Sequence, residues 1–346
     1  MKITALGSHS AFATGTYEDV LTLEDACEVA LHIAKTPEFK EASASKIMTE
    51  IKKRKQRLYR PQWQSNFLIE FDAPGKRGKD SYRLLIDAGG DIRHALKGVG
   101  LTSADIDGVY ISHPHSDHIG GMEYLGLTTI FNPFYTQAKK EWLGDQFIVD
   151  KLFLEQKLWP TPPNNAKPDL FIHRKVLEPL KRAIAPGLDT MQGVPTVSIE
   201  TYFDIHLIGK QENGEVNTHI FPDVEGHWEM TPLFAMHVIS SSEEMASYGI
   251  SLQHSGEYNI LMPTDTQHMM PPQLATHYKR ANRIYMDCET SRFPSGVHPH
   301  ISDLINNMDT DIKKKCLLYH YDELPEYPEG MFYGILKNGD SHSYPD

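Results

Sequence analysis

Within the six residues His113-Pro114-His115-Ser116-Asp117-His118, three imidazoles and one carboxylate stand at close spacing. Imidazole nitrogen and carboxylate oxygen are ordinary ligands of divalent transition metals. On a chain leaving a strand, the alternate residues His113 and His115 can face one way while Asp117 and His118 turn toward an adjacent point. Such a run can serve two metal ions at once. Ile119-Gly120-Gly121 follows directly, which makes the H-x-H-x-D-H pattern a specific one. Three further donors each come after an apolar run: His237 after Leu233-Phe234-Ala235-Met236, Asp265 in Met262-Pro263-Thr264-Asp265-Thr266, and His320 after Leu317-Leu318-Tyr319. One histidine after a strand is ordinarily a surface or core residue. Three donors in this order downstream of the cluster point to a shared binuclear site. Two metals about 3.5–4 Å apart clamp a phosphate diester and supply a hydroxide near neutral pH. The leaving oxygen must also be protonated or stabilised. The segments Asp287-Cys288-Glu289-Thr290-Ser291 and Ser295-Gly296-Val297-His298-Pro299-His300-Ile301-Ser302 supply candidates for that role.

Such donors need strand ends to hold them. Lys2 to Leu6 reads as a first strand running into the small-residue loop Gly7-Ser8-His9-Ser10. Ser65–Phe71 and Tyr82–Asp87 read as a hairpin joined by the turn-rich stretch Ala73 to Gly78. A short helix near Ile92 to Leu96 leads to the buried strand Gly108–Ser112, and the histidine cluster begins where that strand stops. Further strands are expected at 233–237, 248–252, 259–262, 283–287 and 316–320. Between these lie two stretches of another character. Thr22-Leu23-Glu24-Asp25 has the form of a capping-box start, followed by Ala26, Val29, Ala30 and Ile33 at helical spacing. A second helix is expected over Ser45 to Arg57. Its run Lys52 to Arg57 reads first as a solvated face and second as an anion contact. The expected organisation is one domain over 1–346 with insertions at about 14–60 and 132–230. The second insertion is rich in proline and tryptophan, and its pattern assigns no fold.

These motifs resemble the metallo-β-lactamase superfamily and, within it, the ribonuclease Z-like phosphodiesterase branch. The resemblance covers Ser112 to Gly121, the segment from His237 to Asp265, and the chain's end to His320. It implies an α/β fold, a four-layer αβ/βα sandwich carrying helical insertions, with the metals at the edge where the two halves meet. It also implies two divalent metal ions, zinc first and manganese second. His113, His115 and His237 would hold one, Asp117, His118 and His320 the other, and Asp265 would bridge them. Asp117 would also orient the attacking hydroxide. The Pro-Thr-Asp-Thr segment is similar to the Gly-Asp-Thr of that branch, with the glycine replaced. Glu289 followed by a His-x-Ser element is similar to the stretch in which a glutamate assists an acidic histidine. His300-Ile301-Ser302 fits that local pattern better, and His298 stands close beside it. The resemblance places a tRNA-gripping arm between the third-motif histidine and the bridging aspartate. The interval from His237 to Asp265 is too short for one, and the long interval lies instead between His118 and His237.

The formal charge of −12 argues against a surface built to hold long nucleic acid, whose binding depends on many lysine and arginine contacts. Hydrophobic residues are 40% and charged residues 23% of 346, the balance of a globular chain without a membrane span. Three cysteines with no Cys-x-x-Cys pair exclude a disulfide framework and leave a reducing cytoplasm as the expected location. Cys288 and Cys316 lie in apolar runs where a thiol is ordinarily buried and inert. Trp63, Trp142, Trp159 and Trp228 read as structural before they read as base-stacking platforms. The expected function is a metal-dependent phosphodiesterase acting on a small, cyclic phosphate or cyclic nucleotide, as a homodimer without a membrane partner. A ribonuclease Z-like tRNA 3′ endonuclease is the alternative. A ligand sensor without turnover and a carbonyl hydrolase of the glyoxalase or lactamase kind rank lower, because the ligand set is intact and the later motifs favour phosphodiesters.

Overall fold

The computed structural model describes residues 1–11, 15–20, 31, 35, 49, 56–131, 167–191, 197–211, 214–224, 226–239, 244–256, 258–267 and 272–345. By contacts the chain divides into Met1–Ala13 with Trp63–Asp346, and Thr14–Gln62. Strand β1 is Lys2–Gly7. In the smaller unit β2 (Gly15–Val20) pairs antiparallel with β3 (Gln56–Pro61). The strand reaches back to Gln56, so the helix expected over Ser45 to Arg57 does not extend to its predicted end. The helix expected from Thr22 and the lysines Lys52, Lys53 and Lys55 lie outside the described residues, as do Cys27, Trp142 and Trp159.

The larger unit begins with β1 and continues with β4 (Asn66–Phe71), β5 (Tyr82–Ile86), β6 (Gly108–Ile111), β7 (Asp169–His173), β8 (Asp204–Lys210) and β9 (Val216–Asn217). It goes on with β10 (His219–Asp223), β11 (Gly226–Ile239), β12 (Glu244–His254), β13 (Tyr258–Met262), β14 (Arg283–Asp287), β15 (Cys316–Tyr319), β16 (Gly334–Ile335) and β17 (Ser341–Ser343). One sheet has the order β17-β1-β4-β5-β6-β7-β8-β9 and the other β10-β11-β12-β13-β14-β15-β16. Strands β5 to β8 run parallel, as do β13 to β16.

Period-two alternation decides the layering. Phe67, Ile69, Leu84, Ile86, Tyr110 and Phe171 face the other sheet, where Met230, Ile250, Leu252, Met262, Tyr285 and Tyr319 meet them. Their neighbours Leu68, Leu85, Val109, Ile111, Leu170 and Ile172 face outward under helices. Both faces are buried, which is why these strands read as continuous apolar runs. The covering helices include Ile92–Gly98, Met122–Phe131 and Arg174–Leu188. The last buries Val176, Leu180, Ile184 and Leu188, a stripe at four-residue spacing. On the second sheet Leu261, Ile284, Met286, Cys288, Cys316 and Leu318 pack under Ala275–Arg280, Ile301–Asn307 and Thr310–Lys313. The result is a mixed α/β sandwich of two sheets with helices on both outer faces, as the sequence motifs implied. Strands β7 to β10 fall in the stretch 132–230 whose pattern assigned no fold; β7 to β9 extend the first sheet and β10 edges the second. Cys288 and Cys316 are buried free thiols. Trp228 is fully buried, and Trp63 stacks on His94 with ring centroids 5.7 Å apart.

Candidate metal centre

Parallel strands deliver their following loops to one edge, and open α/β sheets place ligands there. β5 leads into Asp87, β6 leads into His113, β13 leads to Asp265, β14 ends in Asp287, and β15 leads into His320. Three of these turns are sharp. Asp87, His320 and the Thr264 beside Asp265 have φ of 62°, 64° and 58°, a region side-chain-bearing residues rarely adopt. Such conformations cost about 1–3 kcal/mol each and persist where the surroundings dictate them. The Gly-Gly after the cluster has a packing reason. A Cβ on Gly121 would sit 2.6 Å from the Gly89 carbonyl, and one on Gly89 only 2.3 Å from the Asp117 carbonyl. The two loops meet backbone to backbone, with Ala88 donating to His118 and Gly121 donating to Ala88.

The site's donors gather in two sets. One ligand atom each from His113, His115, His237 and Asp265 lie within 4.8 Å of one another, as do those of Asp117, His118, Asp265 and His320. Asp265 belongs to both. All except His115 are buried. The outer nitrogens of the rings are spoken for. His118 Nδ1 lies 2.8 Å from Asp87 Oδ2, His237 Nδ1 3.0 Å from the Val297 carbonyl, and His113 Nδ1 3.0 Å from the Ser112 hydroxyl. That hydroxyl donates in turn to Asp87. A ring that donates through Nδ1 turns an Nε2 lone pair inward. His113 Nε2 and His237 Nε2 both approach His115 Nδ1, at 3.0 and 3.1 Å.

The fit of this cluster to cations rests on what its inner atoms lack. Asp265 Oδ1 and His320 Nε2 are buried without a hydrogen bond, a costly state for such atoms. Burial opposes charge on His118 and His320, but Asp265 and Asp117 raise both well above the ordinary histidine value, so in the absence of a metal the positive charge that the carboxylates demand falls on these rings. Burial holds His237 down to about 4 and pushes His113 well below the ordinary histidine value. Those rings are therefore neutral near pH 7, the state in which an imidazole can bind a metal. Burial pushes Asp265 upward, but His118 and His320 outweigh it and hold the carboxyl well below its usual range.

Around His298 and His300 the structure differs from the local pattern of the sequence. His298 lines a cavity of about 400 Å³ above the donors, together with Asp117, Glu289 and Ser295. Its Nδ1 lies 2.8 Å from Asp287 Oδ2, and its Nε2 4.0 Å from Asp265 Oδ2. Burial disfavours its charge, but Asp287 prevails and raises its pKa above the ordinary value. His300, which fitted the local pattern better, is turned away. Its Nδ1 accepts from the Ser302 backbone N–H as the cap of helix Ile301–Asn307, and its Nε2 lies 3.1 Å from the Ser291 carbonyl. Glu289 bonds neither histidine. It accepts from Ser291 Oγ and from the N–H and Oγ of Ser295, shaping the loop that carries His298. Asp287 holds the position expected of Glu289. Asp87 and Asp287 were not singled out in the sequence; their signal is an acid at the last position of an apolar strand.

Fold and donor set define a metal-dependent phosphodiesterase of the metallo-β-lactamase superfamily. The chain is similar over its whole length to solved proteins of that fold. These include the metallo-β-lactamase fold protein YhfI from Bacillus subtilis, with 13% identity, TM-score 0.52, and coverage of 99% and 98% of the two chains. The short form of human tRNase Z aligns with 12% identity, TM-score 0.51, and coverage of 100% of both. The chain belongs to the family described as Anti-Pycsar protein Apyc1, which it matches over residues 58–160 and 154–340. An Anti-Pycsar protein Apyc1 of Paenibacillus xerothermodurans is 43% identical over 248 residues, 70% of this chain and 78% of that protein.

Proposed function

We propose that this chain hydrolyses a small cyclic phosphodiester of the cyclic-nucleotide type. The observation that carries the reading is the shared position of Asp265 between two donor sets beside a cavity of about 400 Å³. That size suits a compact ligand rather than a polynucleotide. His113, His115 and His237 would hold one divalent cation, Asp117, His118 and His320 a second, with Asp265 common to both. Zinc is the first choice for such ligands and manganese the second. When bound, such a pair supplies Lewis acidity toward a phosphodiester and a nucleophile near neutral pH.

The chain's own residues do the rest. Asp117 orients the attacking oxygen. His298, held by Asp287, delivers the proton that the departing ribose oxygen needs. Glu289 and its serines hold the loop that brings His298 to the cavity. The interval from His237 to Asp265 is taken up largely by the pairing of β11, β12 and β13, and the charge of −12 disfavours a long RNA substrate. The molecule acts as a homodimer in the cytoplasm, its insertions elaborating a single domain. No helix among the described residues is long and apolar enough to cross a membrane.

The test is a screen of metal-loaded protein against cyclic mononucleotides, linear dinucleotides and a precursor tRNA. Hydrolysis of at least one cyclic nucleotide, abolished by chelation, is expected. Site-specific tRNA 3′ cleavage with no activity on any cyclic phosphate would replace this reading with the endonuclease.

A further inference from the structure

A second cavity, of about 560 Å³, opens at the C-terminal ends of β7 and β8. None of the metal-donor residues lines it. Its walls carry His173, Arg174, Lys175, Lys210, Phe234 and Tyr248. Three of these are cations, in a chain whose net charge is −12. Lys175 and Lys210 have no carboxylate partner among the described residues. The cavity also receives the start of the 15-residue helix Arg174–Leu188, whose first turn contains no acid. A helix start presents unpaired N–H groups and partial positive charge.

His173 supplies an independent sign of what belongs there. Its side chain is 4% exposed and stacks on Tyr248 with centroids 3.7 Å apart. Nδ1 accepts from the Lys175 backbone N–H at 3.2 Å, so the proton of the neutral ring sits on Nε2. Burial, then Lys175 and Arg174, lower this histidine to about 4, so the ring is neutral near pH 7. Nε2–H has no acceptor among the described residues. A ring that is 4% exposed, with an Nε2–H that meets no protein acceptor among the described residues, beside three cations and an aromatic pair, favours an anionic acceptor in the cavity.

We propose that this cavity binds a phosphate monoester dianion outside the metal centre. Nε2–H of His173 would meet a phosphate oxygen, with Lys175 and Lys210 neutralising the charge. Inorganic phosphate and the terminal phosphate of a nucleotide share this chemistry. Phe234 and Tyr248 would add affinity only for a ligand that carries a base. The site is coupled to the centre through one bond, since the Tyr248 N–H donates to the Ser112 carbonyl, next to His113.

The test is calorimetric titration of metal-loaded protein with inorganic phosphate and with a nucleoside 5′-monophosphate. The Lys175→Gln/Lys210→Gln variant and the Lys175→Arg/Lys210→Arg variant are run beside the unmodified chain. Both lysines are exposed, so the exchanges leave the fold intact, which a melting curve verifies. The glutamine variant should lose one binding event, weakened about tenfold or more, equivalent to about 1.4 kcal/mol. Turnover of a chromogenic diester without added phosphate should stay unchanged, and the arginine variant should retain binding. Tighter binding of the nucleotide than of phosphate identifies the base-bearing ligand; equal binding identifies phosphate alone, and either supports the site. Identical titrations of all three proteins would overturn it. So would a loss confined to single-stranded RNA binding, which would make the cavity part of an RNA surface.

Discussion

Oδ2 of Asp287 lies 2.8 Å from Nδ1 of His298, and its other oxygen lies 3.4 Å from Nδ1 of His320. One fully buried carboxylate therefore lies against both the cavity-lining ring of His298 and a ring of the donor set. A proton donor held this way matters in proportion to how badly the leaving group needs the proton.

Replacing His298 by alanine should lower turnover of a nucleotide diester about 10²- to 10⁴-fold. Turnover of bis-nitrophenyl phosphate should fall far less, because nitrophenolate departs without a proton. His300→Ala should leave that ratio unchanged, since its ring caps a helix. Steady-state rates on the two esters decide the matter: equal losses in the His298 variant would remove it as the acid.

Asp265→Ala should disturb both donor sets, while His320→Ala should mainly weaken one. Elemental analysis after dialysis should show about two metal ions per unmodified chain. It should show near-complete loss for Asp265→Ala and an intermediate content for His320→Ala. A stoichiometry near zero after reconstitution of the unmodified chain with zinc or manganese would contradict a binuclear centre.

Asp87 touches no proposed metal position, yet it binds His118 Nδ1, the Ser112 hydroxyl and the Ser112 N–H. Asp87→Asn should therefore lower metal affinity about 10- to 100-fold through ring orientation alone. Competition against a chromogenic chelator measures this. An unchanged affinity would show that packing, without Asp87, orients His118.

Far from the centre, Asp169 accepts from Tyr82 Oη at 2.6 Å and Lys76 Nζ at 2.5 Å, and lies 2.8 Å from His206 Nε2. Burial raises its carboxyl, but His206 and Lys76 prevail and lower it. Its contribution is thus complete above about pH 3.9 and lost as pH falls through the lower folded value. His206 is raised, chiefly by its bond to Asp169. Its contribution is complete below about pH 6.5 and lost as pH rises through the higher folded value. Denaturant titrations should show Asp169→Ala destabilised by about 3 kcal/mol. His206→Asn should reduce the stability lost on passing upward from pH 6.5; a slope identical to that of the unmodified chain would refute the assignment.

Much of this protein is legible in its sequence because the information is local. His113 to His118 stand on one strand-to-loop transition, so their spacing alone reports a shared purpose. His237, Asp265 and His320 each follow a short continuous apolar run, the mark of a strand buried on both faces. What the tertiary structure decided is everything that depends on two distant segments meeting. His298 and His300 are two residues apart, and the local pattern favours His300. Only the fold shows His300 consumed as the cap of helix Ile301–Asn307 and His298 drawn to Asp287. Glu289 stands where a supporting acid was expected, yet the Ser291 and Ser295 groups that gather its oxygens belong to its own loop. Strand β7 is hidden for a related reason: buried on the sheet by neighbours far along the chain, it carries a short apolar run that periodicity alone does not assign. A motif names the candidate donors; the packing of the two sheets decides which side chains enter the cluster and which hold them in place.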